Sequence, residues 1–281
     1  MMITVTIIGT GLIGGSMAIA LKEKGIAGTI IGVDANNAHC QRALDLQLVS
    51  EVAELGEAVR RSHLVIVAVP VNVSEQLLPL VLDNVDQQVV MDVGSTKAGV
   101  LESVASHPKR GRFVATHPMW GTEYSGPDAA VRGAFVNKAT VICNREECDA
   151  DALEMVEKIY AALGMHLLYM EGAAHDLHAA YISHISHITS FALANTVLEK
   201  EREEEAIFEL ASGGFESTVR LAKSNPSMWV PIFMQNRENV LDVLNEHISQ
   251  LRKFKACLEK ENYEYLRELI ENANKIRKII K

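Results

Sequence analysis

The stretch Ile3-Thr-Val-Thr-Ile-Ile-Gly9-Thr-Gly11-Leu-Ile-Gly14 joins a β-branched apolar run to spaced glycines and then to a helical pattern. Glycines at this spacing allow a tight turn after a strand, and they let the backbone approach a pyrophosphate at the start of the next helix. The spacing alone is a weak signal. Asp34 strengthens it, because it ends the next apolar run 25 residues after Gly9. Together they predict a dinucleotide-binding strand, turn and helix.

Asp34 also indicates which dinucleotide binds. A carboxylate at the end of the second strand bonds both ribose hydroxyls of NAD and repels the 2′-phosphate of NADP. We therefore expect NAD as the cofactor. The residues predicted to hold it are Gly9, Gly11, Leu12, Ile13, Gly14 and Asp34. The alternative is a glycine-rich turn followed by a solvated aspartate.

Short apolar runs continue to alternate with helical stretches as far as about residue 170. Strands are predicted over residues 3–8, 29–33, 64–69, 89–93, 113–115, 139–143 and 166–169. The run Leu64-Val-Ile-Val-Ala-Val69 is typical of a parallel strand that helices cover on both faces. The alternation predicts an α/β fold in which residues 1–170 form a Rossmann-type, mostly parallel sheet.

Residues 171–281 show no strand signal and are predicted to be helical. The helix predicted over residues 175–199 is apolar nearly all round, so it requires cover on all sides from a large helical domain or from a second copy of the chain. A homodimer is the simpler source of cover. A second apolar stripe runs from Leu241 to Leu258 and is able to pack on a neighbour. Ordinary packing within the domain explains this stripe at least as well as packing on a neighbour does.

Charge, hydropathy and cysteine content exclude several classes of protein. The 27 Lys and Arg against 36 Asp and Glu give a net charge of −9, which repels phosphate backbones, so no nucleic-acid partner is expected. The uncharged N-terminal segment has no basic residue before Lys22 and is interrupted by glycines, so neither a signal peptide nor a membrane span is expected. The four cysteines form no C-x-x-C pair, which favours a reduced, cytoplasmic compartment.

Two motifs follow predicted strands and supply candidate catalytic groups. In Asp92-Val-Gly-Ser-Thr-Lys97, Ser95 is placed to donate a hydrogen bond to a substrate. In His117-Pro-Met-Trp-Gly121, His117 is suited to accept a hydroxyl proton while a hydride leaves the same carbon, because an imidazole has a pKa near 6.5. The alternative is that His117 only braces its loop.

The helical half carries further polar residues within apolar surroundings. His184 and His187 lie on one face of the predicted helix, where a substrate-facing role accounts for them. They supply only two ligands and have no companions at ligand spacing, so no metal site is expected. Arg220 offers the planar, two-pronged bond that carboxylates favour, although a surface ion pair is the alternative. Trp229 follows in the same segment.

This combination resembles the prephenate and arogenate dehydrogenases of tyrosine biosynthesis, from Ile3 to about Trp229. The motifs at residues 9–16, 92–97, 117–119, 183–187 and 213–229 occur in the family's order. The resemblance implies a Rossmann domain followed by a helical dimerisation domain, with the active site at their junction. It also implies NAD-dependent oxidative decarboxylation of prephenate to 4-hydroxyphenylpyruvate by a homodimer.

The resemblance further implies a role for each candidate. His117 matches the family's catalytic base, and Ser95 matches the serine that holds the same substrate hydroxyl and orients the base. Arg220 matches the arginine that binds a substrate carboxylate. His187, with His184 nearby, would flank the substrate side chain, and Trp229 would border the pocket.

Three alternative functions remain open. Arogenate carries an ammonium on its side chain where prephenate has a keto group, and no obvious acidic residue awaits that ammonium, which favours prephenate. A β-hydroxyacid dehydrogenase or imine reductase of the same architecture usually relies on a helix-borne lysine, whereas residues 171–199 contain none. A catalytically silent NAD-binding protein would not need the serine, histidine and arginine found here.

Overall fold

The structure is a computed structural model that describes residues 2–202 and 207–279. Its first half is built on one sheet, whose strands are β1 (Ile3–Ile8), β2 (Ala27–Val33), β3 (Glu51–Val52), β4 (Leu64–Val67), β5 (Val89–Asp92), β6 (Phe113–Pro118), β7 (Ala139–Cys143) and β8 (His166–Met170). Their order across the sheet is β3-β2-β1-β4-β5-β6-β7-β8. Neighbouring strands are parallel except for β6 and β7, which are antiparallel. The predicted α/β class and mostly parallel sheet are confirmed.

The helices between these strands are α1 (Leu12–Glu23), α2 (Asn37–Asp45), α3 (Leu55–Arg61), α4 (Val71–Leu82), α5 (Ala98–Val104) and α6 (Ala150–Ala162). Helices were predicted near residues 12–24, 38–46, 75–82 and 152–163, so the sequence prediction missed β3 and α3, and it gave Lys97 as either the start of a helix, here α5, or an anchor of its loop. These elements have two to seven residues, which is too short for a hydrophobic period to be recognised. The strand predicted over residues 64–69 ends at Val67, where the chain turns toward α4.

Side chains on alternate strand positions form the two halves of the core. Val5, Ile66 and Met91 point into one apolar cluster, whereas Val65 and Val90 point into the other. This separation follows from the strand period of two residues, and helices cover both faces. The central strands are therefore packed on both faces, and the loops that follow them start from their carboxyl ends.

The second half of the described chain is helical. Its helices are α7 (Gly172–Ala179), α8 (Ile185–Glu201), α9 (Gly213–Val219), α10 (Pro226–Gln235), α11 (Arg237–Glu259) and α12 (Tyr263–Ala273). A π-helical turn, Ala180–His184, links α7 to α8, so the helix predicted over residues 175–199 is one helical run with a widened turn inside it. Such turns occur often at functional sites.

Apolar side chains remain exposed along these helices. Ile182 is 70% exposed in the π-helical turn, Leu198 is 50% exposed on α8, and Leu258 is 68% exposed on α11. The predicted helix is therefore not buried on all sides by its own chain. Among residues 2–202 and 207–279, no helix has both the length and the hydropathy needed to cross a bilayer.

Candidate active site

The glycine turn between β1 and α1 brings backbone atoms unusually close together. Gly9 has a φ of +94°, and a Cβ there would overlap the carbonyl oxygen of Ala68 at the end of β4. A Cβ on Gly14 would overlap the carbonyl oxygen of Gly9. Gly11 caps α1 without a side-chain hydrogen bond. The first N–H groups of the helix, including those of Leu12 and Ile13, therefore face outward as an anion-binding end.

This turn lies where ligands bind in open α/β sheets. From β1 the chain adds β2 and β3 on one side of the sheet. It then returns to add β4 on the other side of β1, so the direction in which strands are added reverses beside β1. The crevice outside the carboxyl ends of the strands at such a reversal is the usual nucleotide site. The residues present thus fit a dinucleotide phosphate.

Asp34 supports the glycine turn from the end of β2. Its Oδ2 accepts hydrogen bonds from the backbone N of Thr10 at 2.9 Å and from the Thr10 hydroxyl at 3.1 Å, and its Oδ1 accepts one from the N of Asn36 at 2.9 Å. A carboxylate has about four acceptor positions, so Asp34 retains capacity for a further donor. Its side chain is 12% exposed.

His117 stands near the end of β6 and contacts a second histidine. Its Nδ1 lies 2.8 Å from Nε2 of His175, and Nδ1 of His175 lies 2.8 Å from Oδ1 of Asp176. Burial lowers the pKa of His117 well below its usual value, and the positive charge of the nearby Lys97 acts in the same direction. His117 is therefore a neutral imidazole at neutral pH, as a proton acceptor must be.

His175 was not found from the sequence. The argument that singled out the polar residues of an apolar helix applies equally to His175 and Asp176, which open α7 and are 2% and 3% exposed. Ser95 is half-buried, and no hydrogen bond joins its hydroxyl to another described residue, so its expected role in holding the substrate hydroxyl and orienting His117 stays a prediction. Within the described residues, the His117 ring has its hydrogen-bond contact with His175.

A buried ion pair lies behind His117. Lys97, which is fully buried, donates from Nζ to Asp92 Oδ2 and also to the carbonyl oxygen of Thr116 at 2.7 Å. Asp92 Oδ1 in turn accepts from the N of Thr116 at 2.9 Å. The pair therefore fixes the end of β5 against β6 at the residue that precedes His117.

Arg220 reaches this region from the helical half. Its side chain is 55% exposed, and its NH1 lies 3.8 Å from Oε2 of Glu123 in the loop that follows His117. This separation is too long for a direct hydrogen bond, so the guanidinium remains available to a carboxylate ligand. Glu123 corrects one sequence-based expectation, because an acidic side chain does lie beside the predicted substrate arginine.

His187 and Trp229 form a stacked pair beside α8. Their ring centroids are 3.4 Å apart with an interplanar angle of 26°. Nδ1 of His187 donates to the carbonyl oxygen of Ser183 at 3.0 Å, which leaves Nε2 as an acceptor. Burial lowers the pKa of His187, and the charge of Arg220 contributes in the same direction. The structure thus brings His187, Trp229 and Arg220 together.

His184 takes a different position from His187. It is 1% exposed, and its Nδ1 accepts a hydrogen bond from the side-chain amide of Asn236 at 3.1 Å. Burial lowers the pKa of His184 to about 4, so the ring is neutral. His184 therefore packs inside the helical half, whereas its proposed contact with substrate stays a prediction. No group of three or more potential metal ligands occurs within the described part of the chain.

The glycine turn, the neutral histidine at the strand ends and the helical half above them define a two-domain, nucleotide-binding oxidoreductase. The family model described as the nucleotide-binding domain of prephenate dehydrogenase matches residues 17–169. The model described as the prephenate dehydrogenase dimerization domain matches residues 171–272. The chain belongs to the prephenate dehydrogenase family.

Individual relatives agree with this assignment. A prephenate dehydrogenase of Bacillus subtilis is 31% identical over 98% of this chain and 75% of that relative. A cyclohexadienyl dehydrogenase of Zymomonas mobilis is 28% identical over 99% of this chain and 96% of that protein.

Solved structures of the family share the whole architecture. Prephenate dehydrogenase from Aquifex aeolicus, in complex with hydroxyphenyl propionate and NAD+, matches with a TM-score of 0.91 and 28% identity, covering 100% of this chain and 99% of that one. Synechocystis arogenate dehydrogenase matches with a TM-score of 0.78 and 25% identity, covering 99% of this chain and 100% of that one.

Proposed function

We propose that this enzyme oxidatively decarboxylates prephenate to 4-hydroxyphenylpyruvate with NAD, in tyrosine biosynthesis. The observation that carries the proposal is the position of His117 near the end of β6, in the sheet that also carries the glycine turn, with its Nδ1 2.8 Å from Nε2 of His175 in the helical half. Membership of the family and the likeness to a relative solved with NAD+ support the same reaction.

In the proposed reaction, His117 Nε2 accepts the proton of the substrate's C4 hydroxyl. NAD, when bound, supplies the hydride acceptor for the same carbon. The ring carboxylate then leaves as CO2, the ring becomes aromatic, and the C4 oxygen regains its proton to give the phenol. Formation of the aromatic ring makes the reaction effectively irreversible. Ser95 would hold the hydroxyl, Arg220 a carboxylate, and His187 with Trp229 the side chain, with His184 behind them.

We propose that the dinucleotide lies on Gly9, Gly11, Leu12, Ile13 and Gly14, with Asp34 at its ribose. The chain would divide near residue 170 into this nucleotide-binding domain and the helical domain. The helical domain would form a homodimer, and the exposed Ile182, Leu198 and Leu258 supply apolar surface for a second copy to cover.

The experiment that tests the function follows NADH or NADPH absorbance with four combinations of substrate and cofactor. Prephenate and arogenate are each supplied with NAD or with NADP, and product is identified by chromatography. Turnover of prephenate with NAD is expected. Confirmed NAD binding without turnover of either substrate would refute the function and leave the fold unchanged.

Arogenate is the second candidate substrate, and Glu123 favours it. This carboxylate is 20% exposed and lies beside Arg220, where it is placed to pair with a side-chain ammonium. In the four-way assay, a higher kcat/KM for arogenate than for prephenate would select this candidate.

The Arg220→Lys variant should raise KM for prephenate about tenfold or more with little change in kcat. A lysine ammonium is a point charge and cannot reproduce the two-pronged bond, and a hydrogen bond to a charged group contributes about 1.5–3 kcal/mol. Initial rates over a range of prephenate concentrations measure the change. Arg132→Lys, at a side chain 79% exposed beside Glu23, serves as the matched control. An unchanged KM in Arg220→Lys would place the carboxylate site elsewhere.

The Asp34→Ser variant should lower the preference for NAD over NADP, expressed as the ratio of kcat/KM values, by about tenfold or more. The change removes a charge-assisted bond to the ribose and the repulsion of a 2′-phosphate. Steady-state kinetics with both cofactors measure the ratio, and Asp45→Ser, at an exposed position on α2, is the control. An unaltered ratio would show that Asp34 does not face the ribose.

A further inference from the structure

A hydrogen-bonded chain of three side chains runs from the buried Asp176 and His175 of α7 to the half-buried His117. Nδ1 of His117 contacts Nε2 of His175 at 2.8 Å, and Nδ1 of His175 contacts Oδ1 of Asp176 at 2.8 Å. The two imidazole rings meet edge to face, with an interplanar angle of 71°. His175 and Asp176 have no part in the reaction as proposed above.

The contacts of Asp176 determine where the protons lie. Its Oδ1 also accepts from the N of Lys97 at 2.7 Å, and its Oδ2 accepts from the N of Ala98 at 2.9 Å. An ionised carboxylate has no hydrogen to donate and can only accept hydrogen bonds. Nδ1 of His175 must therefore carry the hydrogen in its contact with Asp176. Nε2 of a neutral His175 is then an acceptor, and His117 must donate to it from its own Nδ1. This leaves the lone pair on Nε2 of His117.

We propose that His175 and Asp176 are positioning residues that hold His117 in the tautomer whose Nε2 is free to accept a proton. The proposal deepens the function proposed above and rests on it for the role of His117. An isolated imidazole has no such constraint and exchanges between its two tautomers. When His117 takes up a proton, the Asp176 carboxylate, acting across His175, also stabilises the resulting imidazolium.

Two substitutions of His175 separate positioning from structural support. A glutamine side chain places its amide near the former Nε2 position and can accept from His117, whereas an asparagine reaches only the former Nδ1 position. His175→Asn should therefore lower kcat about 10- to 100-fold, by analogy with the loss of the hydrogen-bond partner that orients a metal-bound histidine. KM for prephenate and Kd for NAD should stay within about twofold, and His175→Gln should recover most of kcat.

Stability and coupling complete this test. Both variants should unfold at similar denaturant concentrations, so that a difference in kcat between them reports the orientation of His117 and not the stability of the fold. Equal losses of kcat in His175→Asn and His175→Gln would overturn the proposal. In a His117→Asn background, His175→Asn should cause no further loss, because residues that act through one another are not additive. A full additional loss in the double variant would also overturn it.

A measurement independent of turnover is the ¹⁵N NMR spectrum of the full-length protein labelled at histidine, with NAD added. The expected spectrum shows His117 protonated on Nδ1 and unprotonated on Nε2, and the signals are assigned from their absence in His117→Asn. His175→Asn should remove this preference. A hydrogen on Nε2 of His117 would overturn the proposal. Absence of prephenate turnover together with the expected tautomer would refute the proposed function alone.

Discussion

The His117→Asn variant should fold and bind NAD but lose about 10²–10⁴-fold in kcat, the range that a positioned general base contributes. The asparagine amide keeps a polar group near the former Nδ1 of His117 and so keeps the contact with His175. It has no nitrogen at the former Nε2 position, where the substrate proton would go. The measurements are kcat from the absorbance of NADH and Kd for NAD from protein fluorescence.

An exposed histidine provides the control for this variant. His166→Asn, on the edge strand β8, should leave kcat unchanged.

In the wild type, activity should be constant above pH 6.5 and should decline only at lower pH, because the pKa of His117 is lowered and the neutral form is the acceptor. His117→Asn should lack that decline. Near-normal kcat in His117→Asn would exclude His117 as the base.

The Lys97→Met variant should lose about 3–5 kcal/mol of unfolding free energy, which is the effect of removing one partner of a buried ion pair. Methionine fills similar volume but leaves the Asp92 carboxylate, which is 1% exposed, without its cation. The carbonyl oxygen of Thr116 loses a donor as well. Denaturation in guanidinium chloride at one fixed protein concentration measures the change, because the stability of the proposed dimer would depend on concentration.

The matched control is a lysine of the same chemistry at the surface. Lys158 is 73% exposed and pairs with Glu154 one helical turn away, so Lys158→Met should change the unfolding free energy by about 0.5 kcal/mol or less. The double variant Asp92→Asn/Lys97→Met should be less destabilised than the sum of its single variants, because the unpaired charge is removed. Equal effects of Lys97→Met and Lys158→Met would show that the buried pair contributes little.

The nucleotide-binding half could be predicted closely because its signals are local. The glycine turn and the strand at residues 64–67 each carry their structural preference within a few residues. β3 has two residues and pairs only at an edge of the sheet, so it exists because of its neighbours. The α/β fold class and the mostly parallel sheet could therefore be predicted from the sequence. The short elements such as β3 could not, because they depend on tertiary contacts.

The candidate site was only partly predictable because its key contact crosses 58 positions of sequence. His117 was recognisable from its place after a strand, but its partner His175 depends on how α7 docks against α5. Glu123 was missed for a similar reason, since it approaches Arg220 only when the loop after β6 meets the helical half. Neither the hydrophobic period nor a local motif predicts contacts between residues so far apart in the sequence.

The contacts of Asp176 with the backbone of Lys97 and Ala98 restrict how this enzyme can be recombined with its homologues. A chimera joined at residue 170 takes His117 from one parent and His175 from the other, so its active-site geometry depends on two unrelated docking surfaces. A chimera joined after Ala179 keeps His117, His175 and Asp176 from one parent. Crossover points in domain shuffling should therefore lie beyond α7, inside the helical half.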